Sequence, residues 1–463
     1  MSTGAGATRG PTRRRSKRGK DARADVIIGS LTDAFEPLMR ADPAGFRTKF
    51  RKMARDPFAF YRGSACVFYA DMGAQGAYAD VDERWVDERS SRVWIQGDLH
   101  AENFGTYLDA GGRLVFDVND FDEAYLGHWT WDLNRFVASL ALMCWQKALP
   151  DNAIDDLVSR YVRAYMDQVH HYVETEDDTE WALTLDNAQG GVLDALHAAR
   201  MSTRFHLLES VTVVENYHRH FAERPGVRRL KSKEEERVRE AFGRYLATIP
   251  PSKKGSGVVY DVLDVVGKAG FGIGSAGLPA YNILIEGFSQ ALDNDVVLSL
   301  KQGNVAAASR VLGDDSAASY FDHHGHRTAI SQRALQAHAD RFLGWTNLPV
   351  GGKDTGFVVS EFSPYEADLD WDDVTEPEEM QVLVTQLGQA TAKIHCVADI
   401  ESDQDLVDFS VEEAITERVG DDVDDLVSDL TTFAHRYAEQ TRDDYRLFVD
   451  SFRAGALSQV TPA

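Results

Sequence analysis

The stretch 96-QGDLHAENFG-105 sets an aspartate, a histidine, a glutamate and an asparagine within ten residues. Soon after comes 114-LVFDVNDFDEA-124, which reads as a strand yet carries four more acids. The segment 92-RVWIQGDLH-100 reads as a buried strand running into a polar loop, and 113-RLVFDVNDFDE-123 as a strand with an acidic end after the turn 109-DAGG-112. If the two strands pair as a hairpin, Asp98, Asn103 and Asp120 converge at one end. Two carboxylates and an amide oxygen are hard oxygen donors that suit Mg²⁺ rather than zinc or copper. A cation also removes the repulsion between carboxylates crowded in one pocket.

Phosphoryl transfer needs such an arrangement: one Asp contacts the attacking hydroxyl, while an Asn and a second Asp hold Mg²⁺ on the phosphates. Asp98 is the candidate for the first role, and Asn103 and Asp120 for the metal, with Asp122 assisting. Asp117 is a rival to Asp120. His100 is a candidate at the reacting centre or a scaffold within the loop.

The order GDLHxxN, NDFDEA and then WDL resembles the catalytic core of the aminoglycoside-phosphotransferase and choline-kinase branch of the protein-kinase-like fold. The resemblance implies a two-lobed α+β fold with a large helical lobe, and ATP and Mg²⁺ as cofactors. It gives Asp98 the role of the loop aspartate, Asn103 and Asp120 those of the metal-binding pair, and Asp132 that of the structural aspartate at the helix start. Gln96 stands where that branch usually has histidine, which bears on a scaffolding contact.

Such a site also needs a phosphate-covering glycine loop and a strand lysine. The loop 267-GKAGFGIGSAG-277, with Gly270, Gly272, Gly274, Ser275 and Gly277, lies between strand-like runs at 258–266 and 280–287. Its glycines let backbone N–H groups approach phosphate. Lys301 follows on the apolar run 296–303. Both come after the catalytic loop, the reverse of the usual order, so a circular permutation is expected. Residues 255–365 would be the nucleotide-binding small lobe, with 356–364 as the hinge strand. The helix 387-LGQATAKIHCVA-398 resembles the LxxxLAxLH helix that ordinarily precedes the catalytic loop. The helix expected at 327–343 offers Gln332, Arg333 and Gln336 but no glutamate for Lys301. That partner is absent or lies elsewhere, Glu361 being one candidate.

Across about 56–450, the runs FYRG, GDLHxENFG, FDxNDFDEA, GxGSxG, QRxLQ…FLGW and FAxxYAEQTRDDY resemble a microbial family known as domain of unknown function 2252. That resemblance implies a kinase-like fold without a substrate.

The rest of the chain reads as helices at 24–39, 133–145, 153–173, 192–200, 230–246, 379–398 and 422–452. Asp132 is a candidate N-cap, and 230–246 reads as a charged, mostly exposed helix. The segment 56–72 reads as loop and short strand. A Pro/Lys/Gly/Ser stretch, 249-IPPSKKGSG-257, marks the expected boundary. The organisation is then a disordered basic tail (1–23), a helix-and-loop segment (24–90), the catalytic part of the helical lobe (91–250), the small lobe, and helices completing the large lobe (366–463).

Composition narrows the partners. With 74 acids against 49 bases the formal net charge is −25, which disfavours broad nucleic-acid or anionic-membrane binding. The basic tail is the one segment with a candidate nucleic-acid or partner-binding role. Cys66, Cys144 and Cys396 show no zinc or CxxC spacing, so a reduced cytoplasmic protein is expected. No apolar run reaches the length of a membrane span. The sequence does not set the oligomeric state.

The expected activity is ATP- and Mg²⁺-dependent phosphoryl transfer to a small-molecule acceptor. Adenylyl transfer and a nucleotide-binding interaction module are alternatives. A two-metal phosphatase would need upstream DxH and downstream GNH elements, which are missing. Arg62 is a candidate for a substrate anion or a structural ion pair. The run 323-HHGH-326 lacks further ligand spacing and reads as a solvent loop. His170 and His171 are adjacent on a helix and face different ways.

Overall fold

The computed structural model describes residues 12–175, 177–254, 257–268, 278–313, 315–400, 402 and 405–457. The chain is mixed α+β with antiparallel sheets.

Four short strands lie at its centre: β1 (Val93–Ile95), β2 (Phe104–Leu108), β3 (Leu114–Val118) and β4 (Tyr125–Gly127). β2 and β3 form a hairpin with Phe104 opposite Val118. β1 instead pairs with β4, Val93 opposite Gly127. The expected hairpin between 92–100 and 113–123 is therefore corrected: the loop 96–103 crosses between two small sheets. Gly97 makes that exit feasible. Its φ is +83°, and a Cβ there would lie 2.2 Å from the Glu123 carbonyl oxygen.

Further on, β5 (Thr212–Glu215) and β6 (His218–Phe221) form a hairpin. Next come β7 (Val227–Arg229), β8 (Val262–Lys268), β9 (Ala280–Ile285), β10 (Val296–Gln302), β11 (Gly344–Val350) and β12 (Lys353–Glu361). They build one six-stranded sheet in the order β11-β12-β10-β9-β8-β7. Finally β13 (Ala367–Asp368) returns beside β2.

Helix Ser232–Tyr245 is more than a solvated charged face. Val238, Ala241, Phe242 and Tyr245 recur at helical spacing and are buried with Ile283, Leu298 and Phe357 of the sheet. The sheet unit therefore begins upstream of the 249–257 stretch. β11 escaped the sequence reading because Pro349 discourages a strand; it sits at the sheet edge, where proline is tolerated. The helix expected at 327–343 spans His324–Gln336.

The segment 56–72 is also corrected, to two helices, Pro57–Arg62 and Ala65–Met72. Asp56 caps the first by accepting the Ala59 N–H at 2.8 Å, with Pro57 at the first helical position. A helix over Thr12–Ala41 starts inside the stretch read as a disordered tail. Arg23 anchors it by pairing with Asp71 and Asp444, 421 residues away. Residues 1–11 lie outside the described residues.

Long helices Trp129–Gln146 and Pro377–Cys396 pack on the central strands, and Asp151–Thr175 and Val423–Arg453 pack on those helices. Gly388 lets two of them approach closely, since a Cβ would meet the Tyr161 carbonyl oxygen at 2.4 Å. All three cysteines are buried and free. No helix among the described residues is long and apolar enough to cross a membrane.

Candidate active site

The crossing loop is fixed from behind by Asp132. Helix Trp129–Gln146 starts at Trp129, so Asp132 is not its cap. Its buried carboxylate instead accepts the backbone N–H groups of Gln96 (2.6 Å) and Gly97 (2.9 Å). His395, from helix Pro377–Cys396, stands 3.3 Å from the same carboxylate and 2.9 Å from the Tyr165 hydroxyl. The C-terminal helix thus supports the loop through Asp132.

Gln96 holds the two acidic segments together. Its Oε1 accepts the Asp98 N–H (2.8 Å) and its Nε2 donates to the carbonyls of Asn119 (3.1 Å) and Asp120 (2.6 Å). Asp120 has φ 55°, a left-handed conformation rare outside glycine and Asn/Asp. Asn103 donates from Nδ2 to the Asp98 carbonyl at 3.0 Å. No hydrogen bond reaches its Oδ1 among the described residues, which leaves that oxygen for a ligand.

Asp98 does not stand alone. Arg135 Nε donates to its Oδ1 at 2.5 Å. Arg135 is fully buried, stacked over the rings of Tyr61 (4.2 Å) and Phe68 (5.1 Å). Burial raises the Asp98 carboxyl above the usual carboxylate range, and Arg135 opposes that rise. His100 is buried against Phe58, and its Nδ1 accepts the Glu102 N–H at 3.3 Å. Burial, then Arg62 and Arg135, hold its pKa well below the ordinary value, so it sits neutral as part of the scaffold.

A cavity of about 510 Å³ opens in front of these groups. Asp98, Asn103, Asp120 and Asp122 line one side; Lys268, Ser299 and Lys301 of the sheet line the other. Lys268 and Lys301 both register with Ala280, on the strands either side of it, and so share one face. Burial and then Lys301 depress the Lys268 ammonium. Lys301 is exposed in the cavity and makes no ion pair within 4 Å among the described residues. Glu361 is not its partner, because Arg204 pairs with that carboxylate at 2.6 Å. Burial pushes the Glu366 carboxyl up to about 7, and Lys301 opposes that rise, as it does at Asp120. Asp120 is open to the cavity, yet the surrounding protein and then Asp122 push its carboxyl up to about 7.

Asp117 leaves the contest for the metal: it is buried in an ion pair with Lys393 at 2.6 Å. Gln332 and Gln336 line the cavity and bond to each other at 3.0 Å. Arg62 also lines it and pairs with Glu102. Gly270, Gly272, Gly274, Ser275 and Gly277 lie outside the described residues. The 323–326 histidines are not a loop. His323 caps helix His324–Gln336, and His326 stacks on Trp345 at 4.2 Å.

Among the described residues, no three His, Cys, Asp or Glu side chains are grouped to hold a metal ion. The available set is Asn103 with Asp120 and Asp122, since Arg135 occupies Asp98. Two carboxylates and an amide are too few for an all-protein cage. They fit Mg²⁺, which keeps several waters and takes other oxygens from substrate phosphates.

Sequence reasoning missed Lys49, Arg135, Lys268, Arg204 and Lys393. A signal existed for two of them. Arg135 interrupts the apolar run 133-LNRFVASLALMCW-145, and Lys49 sits between Phe46 and Phe50; a charge inside an apolar helical run needs a buried partner.

A family model described as "uncharacterized protein conserved in bacteria (DUF2252)" matches residues 40–451, and the chain belongs to that family. No curated protein and no solved structure matches the chain.

Proposed function

We propose that the protein is an ATP- and Mg²⁺-dependent phosphotransferase acting on a small molecule, with a kinase-like site assembled from a circularly permuted chain. One observation carries this reading. Four acids at or beside the site already have a cation: Asp98 has Arg135, Asp117 has Lys393, Glu102 has Arg62 and Glu361 has Arg204. Asp120 and Asp122 lack an ion pair among the described residues, as do Glu366 and Asp368 further along the cavity wall and Lys268 and Lys301 across it. A ligand that satisfies both walls carries a metal cation at one end and anionic oxygens at the other. Mg²⁺–ATP has that polarity.

In this reading the acceptor hydroxyl donates to the Asp98 oxygen that Arg135 leaves open. Asp98 orients it for attack on the γ-phosphorus and takes its proton as the bond to the β–γ bridging oxygen breaks. Lys268 and Lys301 hold phosphate oxygens, with the 270–277 loop as the expected cover. Asn103, Asp120 and Asp122 would hold Mg²⁺, which supplies charge neutralisation at the phosphates. The permutation is supported by the lysine-bearing sheet following the catalytic loop in the chain, and by helix Pro377–Cys396 supporting that loop through His395 and Asp132.

The test is a titration of ATP with and without Mg²⁺ on wild type, Asp120→Asn and Lys301→Met. Wild type should bind only with Mg²⁺, and each variant should bind about tenfold or more weakly, as for the loss of one charged contact. No binding by wild type overturns the reading. Binding without turnover across a metabolite panel favours the interaction module. Release of pyrophosphate rather than ADP favours adenylyl transfer.

A further inference from the structure

A second compartment adjoins the acidic wall, with a cavity volume of about 50 Å³. It shares Arg62, Asp98, Asp120 and Asp122 with the main cavity, and adds Lys49, Glu123 and Arg310. The space suits a few waters or one carboxylate or phosphate group.

Lys49, on helix Pro43–Met53, is only 3% exposed. Its ammonium lies 4.2 Å from the centroid of the Phe35 ring, and it has no hydrogen bond or ion pair among the described residues. Buried lysines without an acceptor are rare because an ammonium loses its hydration. The acids nearby are engaged elsewhere. Asp98 is held by Arg135, and Glu123 accepts the Ala307 N–H. Asp120 and Asp122 are assigned above to the metal. Arg62 adds a buried Nε without an acceptor. Arg310 stands exposed at the rim, its other contacts being weak ones to the Asp33 and Ala34 carbonyls at 3.4 Å.

We propose that this compartment binds an anionic group of the acceptor, so that the substrate is a small hydroxylated acid: a hydroxy-carboxylate or a phosphorylated alcohol. Lys49 is the principal contact, with Arg62 and Arg310 beside it. The acceptor's hydroxyl then reaches Asp98, which belongs to both compartments. The assignment to the acceptor rests on the phosphotransferase reading; the anion site itself does not.

Inorganic phosphate is the probe, titrated calorimetrically into the full chain alone, with saturating Mg²⁺–ADP, and with a non-hydrolysable Mg²⁺–ATP analogue. Wild type should bind phosphate in all three conditions, and Lys49→Met should weaken it about tenfold or more, the loss of a charge-assisted hydrogen bond. At pH 8, above the value of about 7 to which burial and then Asp98 push the Glu123 carboxyl, Glu123→Gln removes a negative charge from the compartment and should tighten binding. Glu123→Gln still reads the compartment's charge if Lys49→Met does not fold. Phosphate binding that neither variant changes, or no phosphate binding at all, overturns the anion site. Displacement by the ATP analogue but not by ADP overturns the acceptor assignment, since the compartment would then take the transferred phosphoryl group. Failure of wild type to bind Mg²⁺–nucleotide overturns the phosphotransferase reading, while the titration on phosphate alone still reads Lys49.

Discussion

Replacing Asp132 by alanine should unfasten the 96–103 loop. Its carboxylate is the acceptor for two backbone donors, Gln96 N–H at 2.6 Å and Gly97 N–H at 2.9 Å, in a site with no exposure to solvent. Each buried donor left without a partner costs about 1–3 kcal/mol. Asp132→Ala should therefore lose about 2–6 kcal/mol, a large share of the roughly 5–15 kcal/mol that holds a typical domain folded. Asp132→Asn keeps one carbonyl oxygen and can serve only one of the donors, so its loss should be about half. Urea unfolding gives the totals. Amide hydrogen exchange at Gln96 and Gly97 localises the effect, and both protons should exchange faster in the alanine variant. If alanine and asparagine both fall within about 0.5 kcal/mol of wild type, the range of surface substitutions, Asp132 does not hold the loop.

Two further outcomes follow from buried charges. Lys393→Met strands Asp117, 2% exposed, as an uncompensated buried carboxylate and should cost about 3–5 kcal/mol; the double variant with Asp117→Leu should recover much of that, and equal unfolding midpoints for single and double variants would refute the pairing. Glu361 is pushed up to about 7 by burial, with Arg204 opposing and Asp340 adding to the rise. Its folded pKa exceeds the unfolded value of about 4.3, so the folded state binds the proton more tightly, and the group's contribution to stability falls as pH rises from about 4.3 through 7. Measured against wild type, Glu361→Gln should thus fare better at pH 8 than at pH 5 in urea midpoints; a constant or reversed difference would refute the assignment.

The candidate site was more legible than the fold that carries it. Asp98, Asn103, Asp120 and Lys301 line one cavity, as their residue types and order suggested, because short motifs keep reactive groups on strand ends and loops. The pairing of the strands was not readable. β1 pairs with β4 rather than with the next strand, and the contacts that accompany this choice, Gly97 against Glu123 and Asp132 against the Gln96 and Gly97 N–H groups, are long-range. The helices at 57–72 were hidden by aromatics and glycine that resemble strand and turn signals, although Asp56-Pro57 was a readable start. Helix Ser232–Tyr245 looked solvated because charges fill most of its positions; its four apolar residues become meaningful only at a spacing of 3.6. The cations that engage the acids, Arg135, Lys393 and Arg204, come from distant segments, and proximity in the chain carries no trace of them.

Arg135 also bears on how Asp98 would work in the proposed reaction. A bare carboxylate beside the phosphates of ATP would repel them, and like charges at close range in a partly dry site interact strongly. Arg135 cancels that repulsion from behind. Its Nη2 is tied to the Tyr61 carbonyl at 3.1 Å, and its plane rests on Tyr61 and Phe68, so it holds Asp98 in one orientation. Such a partner ordinarily lowers a carboxyl pKa and weakens it as a proton acceptor. Here burial outweighs the ion pair and the net shift is upward, so Asp98 keeps its basicity while its charge is masked from the phosphates. One oxygen goes to the guanidinium; the other is left for the acceptor hydroxyl. A carboxylate raised in this way and fixed in direction is suited to taking a proton late, as the new P–O bond forms, rather than to ionising the hydroxyl beforehand.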